Sequence, residues 1–395
     1  MGTLLIRNAT VVLPNALLAN CSIFCENTTI KWLKPDNETM KIHADEVLDA
    51  QGNYIAPGFI DMHIHGAQYY LVDKGKEHVE KLCKILPRYG VTGFLPTVCP
   101  LPTEEEDLKL ISSISKVISE GTSILGLFFE GHFLAITGAI NTIPKDGPGK
   151  ERVKKIVEAA KPYAAVFGIS PELDGAEDLI GEMTKNKEPV FMTHTAANVN
   201  QTERAIKMGA SHATHFYDVF PYPPEKDLGV RACGAVEAIM ADPQVSVDFI
   251  LDGEHVDPIA VKMALACKGH DKVCLITDAN MNAGLPPGIY NGVQDLEVEV
   301  SYEGAPARCT EKCAYPKSLA GSGLTMDRAV RNAIRFLGID VPLAIKMASS
   351  NPARVLGLLD RKGLIRAGHD ADLVMLDKEL NVLKCWVNGK CCFTQ

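Results

Sequence analysis

The sequence predicts an α/β fold, namely a (β/α)8 TIM-type barrel with a small β-sandwich domain formed from both termini. Two patterns lead to this prediction. Short apolar runs alternate eight times with helical patterns along the middle of the chain, and both ends are apolar, β-branched and rich in turns. A chain of 395 residues is long enough for one such barrel and an accessory domain.

The two ends of the chain have the pattern of short strands. Residues 3–13 and 21–35 are apolar and β-branched and are separated by turn-forming residues. Residues 364–393 contain similar short apolar segments between turns with Gly and Asp. We therefore predict one β-rich accessory domain that combines residues 1–55 with residues 359–395.

The middle of the chain, residues 56–358, has the pattern of the barrel. Its apolar runs are nearly continuous, as expected of strands that are buried on both faces. The predicted strands are residues 58–66, 92–99, 124–133, 164–173, 189–196, 212–220, 245–253 and 272–279. The predicted helices are residues 108–118, 150–160, 202–208, 257–267, 325–337 and 342–357. After the eighth strand, residues from about 286 to 318 alternate as a β-hairpin insertion.

An open, doubly wound sheet is the alternative architecture for alternating strands and helices. Such a sheet would gather its ligand-binding groups at one switch point. In this sequence, polar residues lie near the carboxyl ends of many predicted strands. That distribution favours the closed barrel.

The composition excludes several classes of protein. Hydrophobic residues are 46% and charged residues 23%, which is typical of a globular chain and not of a disordered or fibrous one. The net charge of −9 without a long basic run predicts no nucleic-acid partner and no binding to anionic membranes. No apolar run approaches the roughly 20 residues of a membrane span. The start lacks a secretory signal, so we expect a cytoplasmic protein with reduced cysteines.

The strongest local signal is the segment Pro57–Gly66, PGFIDMHIHG. Successive residues of a strand point to opposite faces, so Asp61, His63 and His65 share one face. Two imidazoles near the end of a strand can chelate a divalent metal. A pair of hydrogen-bonded core histidines is the alternative.

Metal-binding residue types also end other predicted strands. Glu130 ends the third run and His194 the fifth, and His215 and Asp278 end the sixth and the eighth. Strand ends of a barrel meet at one mouth, whereas separate burial of each ionisable group without a partner would be costly. The pattern therefore predicts a metal site at that mouth.

Together these motifs resemble the amidohydrolase superfamily and, within it, the N-acetylglucosamine-6-phosphate deacetylases. The resemblance covers nearly the whole chain. The segments that carry it are Pro57–Gly66, Phe129-Glu130-Gly131, Thr193-His194-Thr195, Ala213-Thr214-His215, residues 251–257, Thr277-Asp278-Ala279, residues 319–327, Asn351-Pro352-Ala353-Arg354 and residues 367–372.

The resemblance implies one or two bound divalent metal ions. Glu130, His194 and His215 would hold one ion. His63 and His65 would hold the second, with Glu130 bridging and Asp278 nearby. Zinc is the first expectation, and iron, manganese or cobalt also suit imidazole and carboxylate ligands.

The resemblance also implies roles in catalysis and substrate binding. Asp278 would take the proton of the attacking water and pass it to the departing amine. A purely structural ligand is the alternative for Asp278. His255 resembles a histidine that contacts the substrate, with an ordinary loop histidine as the alternative. The family commonly forms homodimers, so a second copy is an expected partner.

The sequence departs from the family pattern around the substrate. His132 stands where the family usually has Pro, and Ile140 stands where the family has a histidine that contacts the substrate. Ile140 cannot donate a hydrogen bond, and His132 is a conceivable replacement. Asp218 adds negative charge where a phosphate would lie. Lys226 or Arg231 falls near the position of the family's phosphate-binding arginine.

The expected function is hydrolysis of the N-acetyl amide of an amino-sugar phosphate, N-acetylglucosamine 6-phosphate or a close analogue, to amine and acetate. The alternative is hydrolysis of another N-acyl or cyclic amide, which Ile140 and Asp218 favour. A third interpretation is a metal-loaded barrel that binds a small molecule without turnover. It is disfavoured because every predicted metal ligand and Asp278 are present.

Overall fold

The computed structural model describes residues 2–140, 142, 147–224 and 226–395. The described strands are β1 (Thr3–Leu13), β2 (Ala16–Glu26), β3 (Thr29–Pro35), β4 (Glu46–Asp49), β5 (Tyr54–Pro57), β6 (Phe59–Ile64), β7 (Gly66–Ala67), β8 (Tyr70–Leu71), β9 (Val91–Val98), β10 (Ser123–Ile124), β11 (Leu127–Phe129), β12 (Ala165–Ile169), β13 (Val190–Met192), β14 (Ala210–Ala213), β15 (Ser246–Ile250), β16 (Val273–Ile276), β17 (Gly288–Asn291), β18 (Glu297–Val300), β19 (Arg308–Cys309), β20 (Leu373–Leu376), β21 (Val382–Val387) and β22 (Lys390–Thr394). The described α-helices are α1 (Lys76–Ile85), α2 (Glu104–Ile114), α3 (Lys150–Ala160), α4 (Ala176–Met183), α5 (Val199–Met208), α6 (Ala235–Ala241), α7 (Pro258–Lys268), α8 (Met326–Leu337), α9 (Val341–Ala348) and α10 (Ser350–Val355).

The barrel consists of eight parallel strands, as the alternating pattern predicts. In spatial order they are β6, β9, β11, β12, β13, β14, β15 and β16, and the short β10 adds to β9. The ring closes where the amide of Asp278 donates to the carbonyl of His63 at 2.9 Å and the amide of His65 donates to the carbonyl of Ala279 at 2.9 Å. Each of the eight predicted apolar runs overlaps one of these strands, although β9 begins one residue and β14 two residues before its run.

The helices surround the barrel and cover it with apolar faces. Helix α8 buries Met326, Ala329, Val330, Ala333 and Leu337, the spacing of one helical face. Helices also form at every predicted helical segment. The sequence interpretation missed α1, α4 and α6, of which α4 and α6 have only 8 and 7 residues and so give a weak periodic signal.

The predicted helix at residues 342–357 is two helices, α9 and α10. Ser349 lies between them with φ −134° and ψ −78°, outside the helical region. Pro352 has no amide hydrogen to donate to the carbonyl four residues earlier, so one continuous helix could not form here.

Strands from the two ends of the chain form the second large sheet. Its order is β22, β21, β20, β5, β1, β2 and β3, with β4 beside β1. Ile30 of β3 and Trp386 of β21 lie far apart in this order but pack in one apolar cluster, so the sheet folds over itself as a small sandwich. The exact domain boundaries at 55/56 and 358/359 stay a prediction, since β5 continues to Pro57 and β20 begins at Leu373.

The predicted hairpin near residues 286–318 has a third strand. β17 pairs with β18 and β18 pairs with β19, in each case antiparallel. The short β19 has only two residues, too few for the alternating pattern to reveal it. This small sheet lies beside the mouth of the barrel and brings Val293, Leu296 and Leu319 to the cavity described below.

Two sequence expectations concern membranes and cysteines. In the described part of the chain, no helix is both long enough and apolar enough to cross a membrane. All twelve cysteines are free thiols, and six are spread through β-strands of the terminal sheet and the barrel wall as Cys21, Cys25, Cys274, Cys385, Cys391 and Cys392.

A buried lysine fixes the start of β20 in the terminal sheet. Lys362 Nζ lies 2.6 Å from Asp372 Oδ2 and 2.8 Å from Asp370 Oδ2, and the side chain of Lys362 is 3% exposed. The amide of Asn388 donates to the other oxygen of Asp372 at 2.8 Å. The lysine therefore neutralises Asp372, whose side chain is only 5% exposed to water.

We expect Lys362→Met to lower the free energy of unfolding by about 3–5 kcal/mol, because it leaves a buried carboxylate without its counter-charge. Urea denaturation would measure the change. Lys154→Met is the matched control, since the pair Lys154–Glu151 is 51% and 77% exposed and should contribute less than about 1 kcal/mol. Equal losses in the two variants would contradict a role for burial.

Candidate metal centre

Four imidazoles and two carboxylates meet at the mouth formed by the carboxyl ends of the barrel strands. His63 and His65 lie at the end of β6, and Glu130 follows β11 directly. Three more residues lie two positions beyond their strands: His194 after β13, His215 after β14 and Asp278 after β16. All six are at least nine-tenths buried. The structure thus brings together the six residues that the strand-end pattern predicts.

Glu130 lies at the centre of the group. Its Oε1 is 3.2 Å from His194 Nε2 and 3.0 Å from His215 Nε2. Its Oε2 is 3.2 Å from the Nε2 atoms of both His63 and His65. Each carboxylate oxygen therefore faces its own pair of imidazoles, which is the arrangement of a carboxylate that can bridge two ions.

Asp278 completes one side of the group. Its Oδ1 is 3.2 Å from His65 Nε2 and 3.5 Å from His63 Nε2. This oxygen is buried and has no hydrogen-bond partner, and such an atom in a native structure requires a ligand or another explanation. A divalent metal would satisfy it.

The donor set also fits a metal by its geometry. Ligand atoms of His63, Glu130 and His215 lie within 4.8 Å of one another, and so do those of His63, His65 and Asp278. Imidazole nitrogen and carboxylate oxygen are the usual ligands of Zn²⁺ and other divalent transition metals. His194 reaches the group through Glu130 Oε1.

The backbone at three of these residues is in the left-handed region. The φ angles are 48° at His194, 33° at His215 and 45° at Asp278. Residues other than Gly rarely adopt this conformation, and it concentrates at functional sites where the surrounding structure holds it. Each of these residues follows a barrel strand, so the chain turns sharply there and presents the side chain to the mouth.

The Nδ1 atoms of the four imidazoles have partners of two kinds, backbone carbonyls and side chains. His194 Nδ1 lies 3.0 Å from the carbonyl of Ile136, and His215 Nδ1 lies 3.3 Å from the carbonyl of Asp218. A carbonyl only accepts, so these two Nδ1 atoms donate and Nε2 faces Glu130. His63 Nδ1 lies 3.1 Å from Thr214 Oγ1, and His65 Nδ1 lies 3.6 Å from Cys99 Sγ.

The electrostatics of the group are those of a site for a cation. Burial alone would lower the pKa of His215, but the hydrogen bond to Glu130 and the charge of Glu130 raise it to about 10. Burial would raise the pKa of Glu130, but the charge of His63 and the hydrogen bonds from His194 and His215 hold it well below its usual range. A divalent ion would supply the positive charge that protons otherwise supply.

Asp61 shares the strand face of His63 and His65 but does not enter the group. Its Oδ2 accepts from the hydroxyl of Thr277 at 2.6 Å and its Oδ1 accepts from the amide of Thr277 at 3.2 Å. Burial raises the pKa of Asp61 to about 7, and these hydrogen bonds oppose that shift. Asp61 therefore ties β6 to the end of β16 beneath the metal-binding side chains.

A cavity of about 590 Å³ opens above the centre. Its walls come from residues 136–140, from Asp218 and Val219, and from residues 293–321. Apart from the metal-binding set, Asp218 is the one charged side chain among the described lining residues, and none of these is Lys or Arg. Most of the remaining wall is apolar, namely Ile136, Ala139, Ile140, Val219, Val293, Leu296, Leu319 and Ala320.

The predicted substrate-binding residues divide into two sets. Ile140 and Asp218 line the cavity. His255 does not, because its Nδ1 is hydrogen-bonded to Asp252 Oδ2 at 2.6 Å and its side chain is 2% exposed. Lys226 is exposed outside the cavity. Arg231 is also exposed and forms an ion pair with Glu237 at 2.8 Å.

The proposed replacement of the lost imidazole by His132 does not agree with the structure. His132 is 2% exposed and packs edge-on against Phe129, away from the cavity. Its Nε2 lies 3.3 Å from Asp107 Oδ2, which also pairs with Arg152. The buried charge of Asp107 and the neighbouring aromatic rings hold His132 inside the barrel wall.

Sequence reasoning missed two residues that touch the centre. Cys99 lines the cavity beside His65, and it ends the second predicted strand, so the rule that identified Glu130 could have found it. Thr214 lies in the segment Ala213-Thr214-His215, but the sequence interpretation gives its hydroxyl no role. A threonine next to a predicted ligand carries no distinctive signal by itself.

Comparisons with known proteins agree with this arrangement. Residues 54–392 match the model of the amidohydrolase family. The chain is 30% identical to the N-acetylgalactosamine-6-phosphate deacetylase of Escherichia coli O157:H7, over 87% of this chain and 89% of that protein. It is 31% identical to the N-acetylglucosamine-6-phosphate deacetylase of Lysinibacillus sphaericus, over 96% and 95%.

A solved structure extends the likeness to the whole fold. It is a variant of the N-acetyl-D-glucosamine-6-phosphate deacetylase of Mycobacterium smegmatis in complex with N-acetyl-D-glucosamine-6-phosphate. The TM-score is 0.87, the identity is 26%, and the match covers 100% of both chains. From the family match, these relatives and the six converging side chains, the chain belongs to the amidohydrolase family of metal-dependent hydrolases.

Proposed function

We propose that this protein hydrolyses the N-acetyl amide of an amino-sugar phosphate, N-acetylglucosamine 6-phosphate or a close analogue, to the amine and acetate. The observation that carries the proposal is Glu130, whose two oxygens each face a pair of imidazoles, with the free oxygen of Asp278 beside them. The names of the relatives supply the substrate class.

The proposed metal ligands follow the division at Glu130. Glu130 Oε1, His194 and His215 would hold one ion. Glu130 Oε2, His63 and His65 would hold a second, with Asp278 as a further ligand. Zinc is the first candidate, with iron, manganese or cobalt as alternatives. When bound, such ions lower the pKa of water and polarise an amide carbonyl.

Asp278 is the proposed general base and then the general acid. Its carboxylate would accept a proton from the water whose oxygen forms the new bond to the acyl carbon. The same carboxyl would then donate that proton to the nitrogen as the carbon–nitrogen bond breaks. Burial would raise the pKa of Asp278, but the charges of His63 and His65 hold it below its usual range, so the carboxylate is ionised and can accept a proton.

The proposal also covers the kind of partner, the oligomeric state, the location and the further substrate contacts. The substrate is a small molecule, and the net charge of −9 argues against nucleic acid and anionic membranes as partners. We propose a cytoplasmic homodimer. His255, Lys226 and Arg231 are the further proposed substrate contacts, and all three lie outside the described lining of the cavity in the single chain.

A second candidate function is hydrolysis of a different N-acyl or cyclic amide. Asp218 lines the cavity, and the described lining residues include no Lys or Arg to neutralise a phosphate. A dianion beside an unpaired carboxylate in a partly desolvated pocket would be repelled. An uncharged or cationic amide would avoid that repulsion.

Amine release tests the two candidates directly. The substrates would be N-acetylglucosamine 6-phosphate, N-acetylgalactosamine 6-phosphate, both unphosphorylated sugars and a panel of N-acyl amino acids. Turnover of a sugar phosphate at rates typical of enzymes, of order 1–10³ s⁻¹, supports the first candidate. Turnover restricted to uncharged or cationic amides would replace it with the second.

Asp278→Asn should lower kcat by about 10²- to 10⁴-fold, because the amide cannot accept and return the proton. Metal content, measured by mass spectrometry of the purified protein, should show whether the ions remain. Asp340→Asn is the control, since Asp340 caps α9 far along the chain from the site, and asparagine caps equally well. Unchanged turnover in Asp278→Asn would remove Asp278 from the mechanism.

Glu130→Gln should weaken metal binding because it removes the one negative charge that faces four imidazoles. The loss should exceed the 10- to 100-fold that is typical when a hydrogen-bond partner of a metal ligand is removed. Equilibrium dialysis with a competing chelator would measure the affinity. Chelation of the wild-type protein should also abolish activity, and added metal should restore it. Full activity in the chelated protein would refute metal dependence.

Asp218→Asn should raise kcat/KM for a phosphorylated sugar by about tenfold, equivalent to about 1.4 kcal/mol, and leave the unphosphorylated sugar unaffected. The comparison needs steady-state kinetics on both substrates. Asp227→Asn, an exposed carboxylate nearby along the chain, controls for long-range charge. Equal changes on both sugars would mean that Asp218 does not face the phosphate.

A further inference from the structure

A chain of buried hydrogen bonds lies in the barrel wall behind His63. Thr214 Oγ1 is 3.1 Å from His63 Nδ1 and donates to Asp248 Oδ1 at 3.1 Å. Asp248 Oδ2 is 2.8 Å from His212 Nε2, and His212 Nδ1 is 2.7 Å from Ser246 Oγ. Ser246 is 6% exposed and the other four residues are completely buried.

The direction of these hydrogen bonds follows from what each group can donate. A carboxylate only accepts, so the single hydrogen of the Thr214 hydroxyl points to Asp248. At His63 the same hydroxyl must therefore accept. His63 then carries its hydrogen on Nδ1, which leaves the lone pair of Nε2 directed at Glu130 and Asp278.

The other contacts of Asp248 prevent it from turning away. His212 Nε2 is hydrogen-bonded to Asp248 Oδ2, and the amide of His215 donates to Asp248 Oδ1 at 2.6 Å. The amide contact also joins Asp248 to His215, whose φ of 33° needs support from its surroundings. One carboxylate thus holds a partner of His63 and the backbone of His215.

We propose that Asp248 is a positioning residue of the metal centre, which acts through the hydroxyl of Thr214 to keep His63 Nε2 available as a ligand. The inference rests on the metal assignment of the proposed function. Backbone carbonyls fix the Nδ1 atoms of His194 and His215. The Nδ1 atom of His63 depends instead on the hydrogen-bonded side chains of Thr214 and Asp248. The ion assigned to His63 and His65 is therefore the one that Thr214 controls, whereas Asp248 also supports the backbone of His215.

Thr214→Val tests the inference because valine keeps the shape of threonine and removes the hydroxyl. The apparent affinity of the ion assigned to His63 and His65 should fall by about 10- to 100-fold, measured with Co²⁺ or Mn²⁺ against a competing chelator. Thr214→Ser should restore most of that affinity, since it keeps the hydroxyl. Asp248→Asn should lower the affinity at least as much as Thr214→Val, because Asp248 accepts from the Thr214 hydroxyl and also from the amide of His215.

Thr122→Val is the matched control for loss of a buried hydroxyl. Thr122 Oγ1 donates to the carbonyl of Val91 at 2.6 Å, at the amino end of the barrel strands and opposite the mouth. It is as fully buried as Thr214. Its substitution should lower thermal stability and leave the metal affinity unchanged.

Four results would overturn the inference, and a fifth separates it from the proposed function. Wild-type affinity for every ion in Thr214→Val would refute the role of the hydroxyl. Equal loss of metal in Thr122→Val, or no recovery in Thr214→Ser, would make the effect one of packing. Wild-type protein that binds the ions but cleaves no amide would sink the proposed function alone, whereas wild-type protein that binds no ion would overturn both.

Discussion

Glu130 places one carboxylate within 3.0–3.2 Å of four imidazole nitrogens, and the rest of the barrel mouth is built around that contact. A buried carboxylate and four imidazoles in so little volume need positive charge among them, and without an ion it must come from protons. The high pKa of His215 and the low pKa of Glu130 both express this demand. A divalent ion held by these residues would meet it, and the cavity lies beside the group.

The geometry around Glu130 depends on support from an outer layer of residues. Three of the metal-binding residues have left-handed backbone, which costs of order 1–3 kcal/mol each and persists only where neighbours hold it. Backbone carbonyls orient His194 and His215, and the Thr214–Asp248 chain orients His63. The barrel core thus contributes to the site by fixing directions as well as by burying apolar surface.

The cavity wall agrees less closely with the family pattern than the metal centre does. The six metal-binding residues agree with the family pattern, whereas the wall above them is apolar around Ile140 and carries the charge of Asp218. The chemistry of amide cleavage resides in the centre, and the choice of substrate resides in the wall. Differences confined to the wall are therefore differences of substrate preference, which is why two candidate substrates share one proposed mechanism.

The sequence by itself determined the barrel, its eight strands and the six candidate metal ligands at the strand ends, because strand periodicity and strand-end position are local properties. It could not determine which other groups meet there. Thr214 and Asp248 are 34 residues apart and meet because β14 pairs with β15, whereas Thr214 and His63 are 151 residues apart and meet because the barrel is closed. The tertiary structure likewise turned His132 inward toward Asp107 and left Lys226 and Arg231 outside the cavity, since burial and charge pairing act between segments distant in sequence.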